Sequence, residues 1–239
     1  MMSFSLQFVL VLIGTFMIAL VLTPLVRLFS FKIDAVDYPN ARRINTKPMP
    51  SAGGLAIVIA FSIATLVFIP MLTSTTAPIK SYLSYTLPVV GAGWIIALTG
   101  LIDDVKELSA KKKMIGILLA ASLVWFLTDF RLNDFKIPFG GPLLHFEPWL
   151  SYLLTVIWIV AITNAVNLID GLDGFVRGVS NISLVTMGIV SYFFLPVPNL
   201  FLTMTIFVLV ASIAGFFPFN YHPAILYLGD TGALFIGFM

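Results

Sequence analysis

The chain has 239 residues, of which 59% are hydrophobic and only 10% are charged, and its formal net charge is +2. A soluble domain carries roughly 25% charged residues, so this composition excludes an ordinary soluble protein and indicates a chain whose main solvent is lipid. The chain contains no cysteine, which excludes disulfides and thiolate metal sites within it. We expect the lipid bilayer, and no nucleic acid, among its partners.

The apolar stretches, taken in chain order, predict an all-α, polytopic transmembrane bundle. A spanning helix needs about 20 mainly apolar residues, and seven stretches approach that length: residues 4–29, 53–71, 85–102, 114–128, 148–166, 178–195 and 200–218. An eighth begins at Thr231 and stops at Met239, which is too short to cross. We therefore expect a single integral membrane domain over residues 1–239, truncated within its last helix.

The charged residues predict the orientation of the bundle. If the spans alternate, ten of the thirteen basic residues fall on one side, and the positive-inside rule makes that side cytoplasmic and the N-terminus extracytoplasmic. Eight of the eleven acidic residues fall on the same side, although the rule acts little on them. Carboxylates gathered beside lysines on one membrane face indicate a functional site.

On the other side, residues 129–149 contain Gly140-Gly141, which suits a tight turn and predicts a small hairpin. His145 and Glu147 in this segment are interpreted as surface residues.

Asp103 and Asp104 lie side by side where the third predicted span ends. The helix dipole disfavours anions at a helix C-terminus, and adjacent like charges repel, so we expect a metal ion, a lysine or a cationic ligand nearby. The alternative is a solvated pair of charges. Residues 111–113 are three lysines in the same loop, which either anchor the helix at the membrane surface or contribute to a metal–diphosphate site.

The fifth predicted span ends in polar groups at every third position: Asn164, Asn167, Asp170 and Asp173. This spacing drifts by about 60° per step because an α-helix repeats every 3.6 residues, so the groups would wind around the helix. Gly171 and Gly174 indicate that the helix opens into turns there, which would let these groups converge. A polar loop that merely caps the span is the alternative.

Two further segments each leave two interpretations open. Asp230 is either the N-cap of the helix that follows or a metal-ligating carboxylate at a helix N-terminus, where free amides can also face a phosphate. Gly53-Gly54, which opens the second predicted span, permits either a close backbone approach to a ligand or tight helix packing.

Four segments resemble, in order and spacing, the polyprenyl-phosphate N-acetylhexosamine-1-phosphate transferases, a superfamily that also contains phospho-N-acetylmuramoyl-pentapeptide transferase. The segments are NARRINTKPMPSAGGL (40–55), GLIDD (100–104), NAVNLIDGLDG (164–174) and FNYHPAILYLGDTG (219–232). The first is more similar to the branch that starts teichoic acids, O antigens and related glycans than to the muramoyl-pentapeptide branch.

The resemblance implies transfer of a sugar-1-phosphate, GlcNAc-1-phosphate first among the candidates, from a UDP-N-acetylhexosamine to undecaprenyl phosphate with release of UMP. It also implies Mg²⁺, or Mn²⁺ in its place, and catalytic loops on the cytoplasmic face of a bacterial plasma membrane. A homodimer is left open. The rival class is an ion-coupled transporter, because intramembrane carboxylates mark ion paths. Transporter sites lie near the bilayer midplane, whereas these carboxylates fall at predicted helix ends or loops.

The resemblance also implies residue roles. Asp230 would be the metal ligand, Asp103 would lie nearest the attacking lipid phosphate, and Asp104 would support it. The nucleotide and diphosphate pocket would be lined by Asn167, Asp170, Asp173 and Asn220, with Tyr227 against the uracil and Lys47 reaching the nucleotide. The remaining substrate-binding candidates are Asn164, Gly171, Lys111 and Lys113.

Two features depart from the family pattern. The family carries a histidine-containing motif in a later cytoplasmic loop, and neither His145 nor His222 occupies that place. We therefore expect two or three further spans in the complete protein and little or no activity from these 239 residues alone. Asn45 stands where this branch often has a basic or histidine residue, so the donor sugar is left open.

Overall fold

The computed structural model describes residues 4–39, 47–73, 79–170, 175–195 and 199–239, and the structural statements below refer to those residues. Two of the predicted site residues, Gly171 and Asp173, lie outside them. The α-helices are α1 (Phe4–Lys32), α2 (Gly54–Ile63), α3 (Ile69–Thr73), α4 (Ile79–Lys106), α5 (Ala110–Leu127), α6 (Pro148–Ile169), α7 (Phe175–Phe193), α8 (Leu200–Asn220) and α9 (Gly229–Phe238). A π-helical segment, Ala64–Phe68, joins α2 to α3.

The described chain is mostly helical and has five helices long and apolar enough to cross a membrane. They are Ser5–Lys32, Gly54–Met71, Tyr82–Lys106, Pro148–Ile169 and Leu200–Asn220. These correspond to the first, second, third, fifth and seventh predicted spans. Helices α5 and α7 occupy the places of the fourth and sixth, and α5 begins with three lysines within its first turn. The helical membrane class is confirmed, whereas the seven-span count and the orientation stay predictions.

The last helix, α9, lies at the centre of the described structure. Its residues 231–237 are all buried, and it packs against α2, α4 and α6. A helix that is apolar on every side is expected to be enclosed by other elements. Phe235 contacts Phe61 of α2 edge to face, with ring centroids 5.7 Å apart. On the outside of this core, α1 packs against α8, and α8 packs against α7.

Helices α4 and α9 approach each other backbone to backbone at Gly100. A methyl group added at Gly100 would lie 2.5 Å from both the carbonyl oxygen of Asp230 and the amide nitrogen of Thr231. Real side chains do not approach backbone atoms that closely, so this position requires glycine. The C-terminal turn of α4 is thereby held against the N-terminus of α9.

The start of α2 lies equally close to the segment that precedes α9. The amide of Gly53 donates to the carbonyl of Tyr227 (3.0 Å), and the amide of Gly54 donates to the carbonyl of Leu228 (2.8 Å). A Cβ at Gly54 would collide with the backbone of Gly232. Of the two interpretations of Gly53-Gly54, the structure therefore supports tight packing, because another part of the chain occupies the space beside the glycines.

Two short antiparallel ribbons complete the described structure. Strands β1 (Val36–Asp37) and β2 (Met49–Pro50) pair between α1 and α2. Strands β3 (Asp134–Lys136) and β4 (Leu143–His145) pair between α5 and α6, so the predicted hairpin is confirmed. Gly140 in its turn has a φ of +85°, which a residue without a side chain adopts readily.

Substituting Gly100 by alanine is expected to destabilise the protein. The added methyl group must push α4 away from α9, and overpacking of this kind costs about 1–3 kcal/mol. Thermal unfolding of the purified protein in detergent would measure the loss. Gly91→Ala in the same helix is the matched control, because no atom beyond the adjoining backbone of its own helix lies within 4 Å of the methyl group it adds. Equal unfolding midpoints for the two variants would contradict this account of Gly100.

Candidate active site

Three charged side chains from three helices meet at one end of the bundle. The ammonium nitrogen of Lys113, in the first turn of α5, lies 2.6 Å from Oδ2 of Asp103, near the end of α4. The same nitrogen lies 2.9 Å from Oδ2 of Asp230, in the first turn of α9. Only residues 107–109 separate α4 from α5, so the chain turns back and Lys113 returns to Asp103. The lysine expected near the acidic pair is therefore present.

Helix α6 contributes a fourth side chain to this cluster. Nδ2 of Asn167 donates a hydrogen bond to Oδ1 of Asp230. The Asp230 carboxylate is thus held on one oxygen by an amide and on the other by an ammonium group. On the opposite side, Oδ1 of Asp103 accepts a 2.5 Å hydrogen bond from the backbone amide of Leu108. We call Asp103, Lys113, Asn167 and Asp230 the charged cluster.

Asp104 has a separate role at the N-terminus of α9. Its Oδ1 accepts a 2.7 Å hydrogen bond from the amide of Asp230, and its Oδ2 accepts from the amide (3.1 Å) and the hydroxyl (2.5 Å) of Thr231. A carboxylate in this position satisfies amides that have no partner within the helix and is stabilised by the helix dipole. Asp104 thereby fixes where α9 begins and how the adjacent Asp230 side chain is directed.

The interpretation of Asp230 as an N-cap is wrong. Helix α9 begins at Gly229, its N-cap residue is Leu228, and no side chain of its own segment caps it. Asp230 instead lies in the first turn, where its side chain contacts Lys113 and Asn167. The capping carboxylate comes from α4, a contact that local sequence patterns cannot reveal.

Burial and neighbouring charges act in opposite directions on the cluster. Burial lowers the pKa of the Lys113 ammonium group, but hydrogen bonds with Asp103 and Asp230 outweigh burial and place this pKa above its usual value. Burial raises the pKa of the Asp230 carboxyl, but its contacts with Asp103, Lys113 and Asn167 outweigh burial and place this pKa below its usual value. Lys113 is therefore a cation, and Asp230 an anion, at neutral pH.

The cluster offers two carboxylates to a common cation. Asp103 and Asp230 both contact one ammonium nitrogen, so their oxygens lie within reach of a single positive ion. Within the described ranges, no group of three or more histidine, aspartate or glutamate side chains converges as a metal site. Mg²⁺ is commonly bound by one or two carboxylates together with substrate phosphates and waters, and this donor set fits that mode.

Asn164 and Asn167 near the end of α6 point in different directions, as their spacing predicts. Nδ2 of Asn164 donates to the carbonyl of Val160 in the preceding turn of the same helix (2.8 Å), whereas Asn167 reaches Asp230. Helix α6 ends at Ile169, and Asp170 follows as its C-cap with φ −79° and ψ 54°. The helix thus stops just before Gly171, and Asn167 brings its side chain into the charged cluster.

Asn220 and Tyr227 flank the loop between α8 and α9. The side chain of Asn220 is 1% exposed, and its Nδ2 donates to the carbonyl of Leu226 (2.5 Å), so in this structure it holds the loop together. Tyr227 is half-buried, and its amide donates to the carbonyl of Pro50 (2.8 Å). The predicted contacts of these two residues with a nucleotide are not tested by this arrangement.

The two other lysines of the predicted set, Lys47 and Lys111, are more exposed to solvent than Lys113. Lys47 is exposed and precedes β2, and Lys111 is exposed in the first turn of α5. Residues two positions apart on a helix do not face each other, so Lys111 cannot share the position of Lys113. The roles of Lys47 and Lys111 with substrate stay predictions.

Sequence reasoning missed two participants in the site. Thr231 donates to Asp104 through both its amide and its hydroxyl, and Leu108 donates its amide to Asp103. The G-D-T-G pattern around Asp230 could have drawn attention to Thr231. Leu108 acts through its backbone, so its side chain provides no signal.

The fold and the cluster define a helical membrane protein with a site of acidic and basic side chains where helix ends meet. Residues 86–239 match the model of glycosyl transferase family 4. The chain belongs to that family, and the matched range contains the whole charged cluster.

Several relatives match nearly all of the chain. It is 39% identical over 233 residues to a probable undecaprenyl-phosphate N-acetylglucosaminyl 1-phosphate transferase of Bacillus subtilis, covering 97% of this chain and 61% of the relative. It is 34% identical to the decaprenyl-phosphate N-acetylglucosaminephosphotransferase of Mycolicibacterium smegmatis, covering 90% of this chain and 53% of the relative. A phospho-N-acetylmuramoyl-pentapeptide-transferase of Staphylococcus saprophyticus is 33% identical, and the match covers 96% of this chain and 72% of the relative.

Removing the Asp104 carboxylate is expected to loosen the N-terminus of α9. In Asp104→Ala the amides of Asp230 and Thr231 lose their acceptor, and a hydrogen bond to a charged group contributes about 1.5–3 kcal/mol. Hydrogen exchange monitored by mass spectrometry should show faster exchange of the peptide that covers the start of α9. Asp129→Ala is the control, since Asp129 is an exposed carboxylate next to the opposite end of α5. Unchanged exchange at α9 in Asp104→Ala would refute the capping role.

Proposed function

We propose that this protein transfers N-acetylhexosamine-1-phosphate, with GlcNAc-1-phosphate as the leading candidate, from a UDP-sugar to undecaprenyl phosphate and releases UMP. The observation that carries the proposal is the convergence of Asp103 and Asp230 on Lys113 at the ends of membrane helices. The names of the Bacillus and mycobacterial relatives support the polyprenyl-phosphate acceptor and the GlcNAc-phosphate group.

The proposed reaction is a single phosphoryl transfer. An oxygen of the lipid phosphate attacks the phosphorus that carries the sugar, a new P–O–P bond forms, and the bond from that phosphorus to the oxygen of UMP breaks. A phosphate monoester has its second pKa near 6, so about nine-tenths of the lipid phosphate is already a dianion at neutral pH. Neutralising and aligning the negative charges then matters more than a strong general base.

The charged cluster suits that requirement. Lys113 supplies a fixed positive charge beside two carboxylates, and it would bind the diphosphate of the donor. Asp230 and Asp103 would hold a Mg²⁺ ion, or Mn²⁺ in its place, together with substrate oxygens. When bound, this ion would neutralise charge that develops on the phosphate oxygens. Asn167 would keep the Asp230 carboxylate in position through its hydrogen bond.

The position of the cluster also supports the proposal. Its members lie at the end of α4, the start of α5, the end of α6 and the start of α9. These helix ends meet at one end of the bundle, where a bilayer-embedded acceptor and a water-soluble donor can meet. The charge distribution of the loops supports the cytoplasmic face for this end.

The test is a transfer assay with the complete protein in membranes. UDP-GlcNAc labelled in the sugar is supplied with undecaprenyl phosphate and Mg²⁺, and we expect label to move into the lipid fraction. If no UDP-N-acetylhexosamine donor yields lipid-linked label in membranes that contain folded protein, the proposed activity is wrong. Ion transport would then be the next hypothesis to test.

Lys113→Met is expected to reduce transfer about 100-fold or more, because removing one fixed charge-stabilising group from a phosphoryl-transfer site has effects of that order. Lys112→Met is the matched control: it removes the same group one residue away, on an exposed part of the same turn, and Lys112 is not among the predicted site residues. Initial rates at saturating donor would be compared. Comparable losses of transfer rate in both variants would show that the contact of Lys113 with Asp103 and Asp230 does not account for the effect.

Chelation by EDTA is expected to abolish transfer, and added Mg²⁺ should restore it. Asp230→Asn should reduce activity strongly and raise the Mg²⁺ concentration needed for half-maximal rate, because an amide binds this hard cation more weakly than a carboxylate. Asp129→Asn serves as the control, since it neutralises an exposed carboxylate next to the opposite end of α5. An unchanged Mg²⁺ requirement in Asp230→Asn would rule out Asp230 as a ligand.

A second donor deserves a parallel assay because of one comparison. The Staphylococcus saprophyticus phospho-N-acetylmuramoyl-pentapeptide-transferase matches 96% of this chain at 33% identity. Transfer from UDP-MurNAc-pentapeptide, with none from UDP-GlcNAc, would assign the protein to that branch of the family.

A further inference from the structure

One face of the β3–β4 hairpin is wholly apolar, whereas the opposite face carries Asp134, His145 and Lys136 beside Leu143. Phe135 pairs with Leu144 across the two strands, while Asp134 pairs with His145. Side chains alternate between the faces of a strand, so Phe135 and Leu144 share one face and the Asp134–His145 pair lies on the other. Nδ1 of His145 lies 2.5 Å from Oδ1 of Asp134, which ties the two strands together on the polar face.

The apolar face and the tip of the hairpin are not covered by the rest of the described chain. Phe135 is 52% exposed and Leu144 is 41% exposed, and Phe139 at the turn is fully exposed. An isolated two-stranded hairpin is marginally stable in water, and exposed apolar patches on proteins commonly mark interaction surfaces. Contact with an apolar medium would stabilise the hairpin and would remove its apolar face from water.

The base of the hairpin is held by contacts with α5 and α6. The amide of Phe146 donates to the carbonyl of Asn133 (2.8 Å), and the hydroxyl of Ser151 in α6 donates to the side-chain oxygen of Asn133 (3.0 Å). The guanidinium carbon of Arg131 lies 4.6 Å from the centroid of the Trp125 ring in α5. The ribbon is therefore fixed at its base to the ends of α5 and α6, while its tip extends away from them.

The height of this base places it at a membrane surface. Helix α5 contains 18 residues and rises about 27 Å, close to the thickness of about 30 Å of a bilayer's hydrocarbon core. Lys113 in its first turn belongs to the charged cluster, so the other end of α5 lies about one hydrocarbon thickness away from that cluster. Exposed Phe126 and Leu127 near that end, with exposed Trp149 at the start of α6, form the aromatic and apolar rim typical of an interface.

We propose that the β3–β4 hairpin lies on the membrane, with Phe135, Leu144 and the tip residue Phe139 inserted among the phospholipids at this interface. Its apolar face continues the lipid-facing surface formed by the ends of α5 and α6. The polar Asp134–His145 face remains toward water. Lys136 and Arg131 are positive charges near the phosphate groups of the lipids. This inference does not depend on the proposed transferase activity.

The absence of cysteine from this chain allows a direct test. Phe139→Cys places a thiol at the tip of the hairpin, and an environment-sensitive fluorophore is attached to it in the complete protein, with any cysteine outside these residues replaced. Lys136→Cys is the control, since Lys136 is exposed and projects from the strand opposite to Phe135. Both proteins are reconstituted into phosphatidylcholine–phosphatidylglycerol vesicles. Quenching by nitroxide-labelled lipids and by iodide is then measured.

We expect the probe at residue 139 to emit at shorter wavelength, to lose emission with nitroxide lipids and to be protected from iodide. The probe at residue 136 should show the reverse. A probe at 139 that iodide quenches as fully as the control would show that the hairpin projects into water and would overturn the inference. Protection from iodide without quenching by nitroxide lipids would indicate that a protein covers the hairpin, which would overturn it as well.

Because a label itself could drive insertion, a second measurement uses unlabelled protein. Phe139→Trp and Leu143→Trp, each in a background where Trp94, Trp125, Trp149, Trp158 and any tryptophan outside these residues are replaced by phenylalanine, report quenching by brominated lipids. Leu143 pairs with Lys136 on the polar face. Greater loss of emission from residue 139 than from residue 143 would support insertion of the tip, and equal loss would contradict the orientation proposed here.

Discussion

The two adjacent carboxylates at the end of α4 impose the constraint on which the rest of the structure depends. A helix C-terminus disfavours anions, and Asp103 and Asp104 also repel each other. The fold offsets both effects by giving each carboxylate a different partner. Asp104 accepts hydrogen bonds from the first turn of α9, and Asp103 pairs with Lys113 of α5. Separating these helices would leave a largely buried charge without its partner, which is strongly unfavourable.

These polar contacts require backbones to lie unusually close, and glycine provides the space. Gly100 lies one helical turn before Asp104 and faces the backbone of Asp230 and Thr231 directly. Gly54 does the same for α2 against Gly232. A larger residue at either position would move the amides of α9 out of reach of the capping carboxylate. The glycines and the aspartates of the sequence motifs therefore act together. The glycines allow the backbones to approach closely, and the aspartates need this close approach to reach their partners.

The two ends of the bundle differ in chemistry. At one end, Lys113 and Asp230 are partly exposed beside the more deeply buried Asp103, an arrangement that offers charge of both signs to a phosphorylated ligand. At the other end, exposed aromatic and aliphatic side chains lie at the ends of α5 and α6 and on the β3–β4 hairpin between them. The first end suits exchange of polar substrates with water, and the second suits attachment to lipid. Helices α5 and α6 connect the two ends.

The sequence by itself determined the helical membrane class, the position of the hairpin and the family, because hydropathy, turn residues and motif order are local properties of the chain. It also predicted that Asp103 and Asp104 need a cation nearby. Only the tertiary structure decided that Lys113, and not Lys111, meets Asp103, that Asn167 reaches Asp230, and that Asp104 caps α9. The last two contacts join residues 63 and 126 positions apart, and the first joins two different helices, so their geometry depends on how helices pack and not on spacing within one segment. Local patterns favoured Asp230 as the cap of its own helix. Because α4 approaches α9 closely at Gly100, the Asp104 carboxylate caps that helix instead, and Asp230 contacts Lys113.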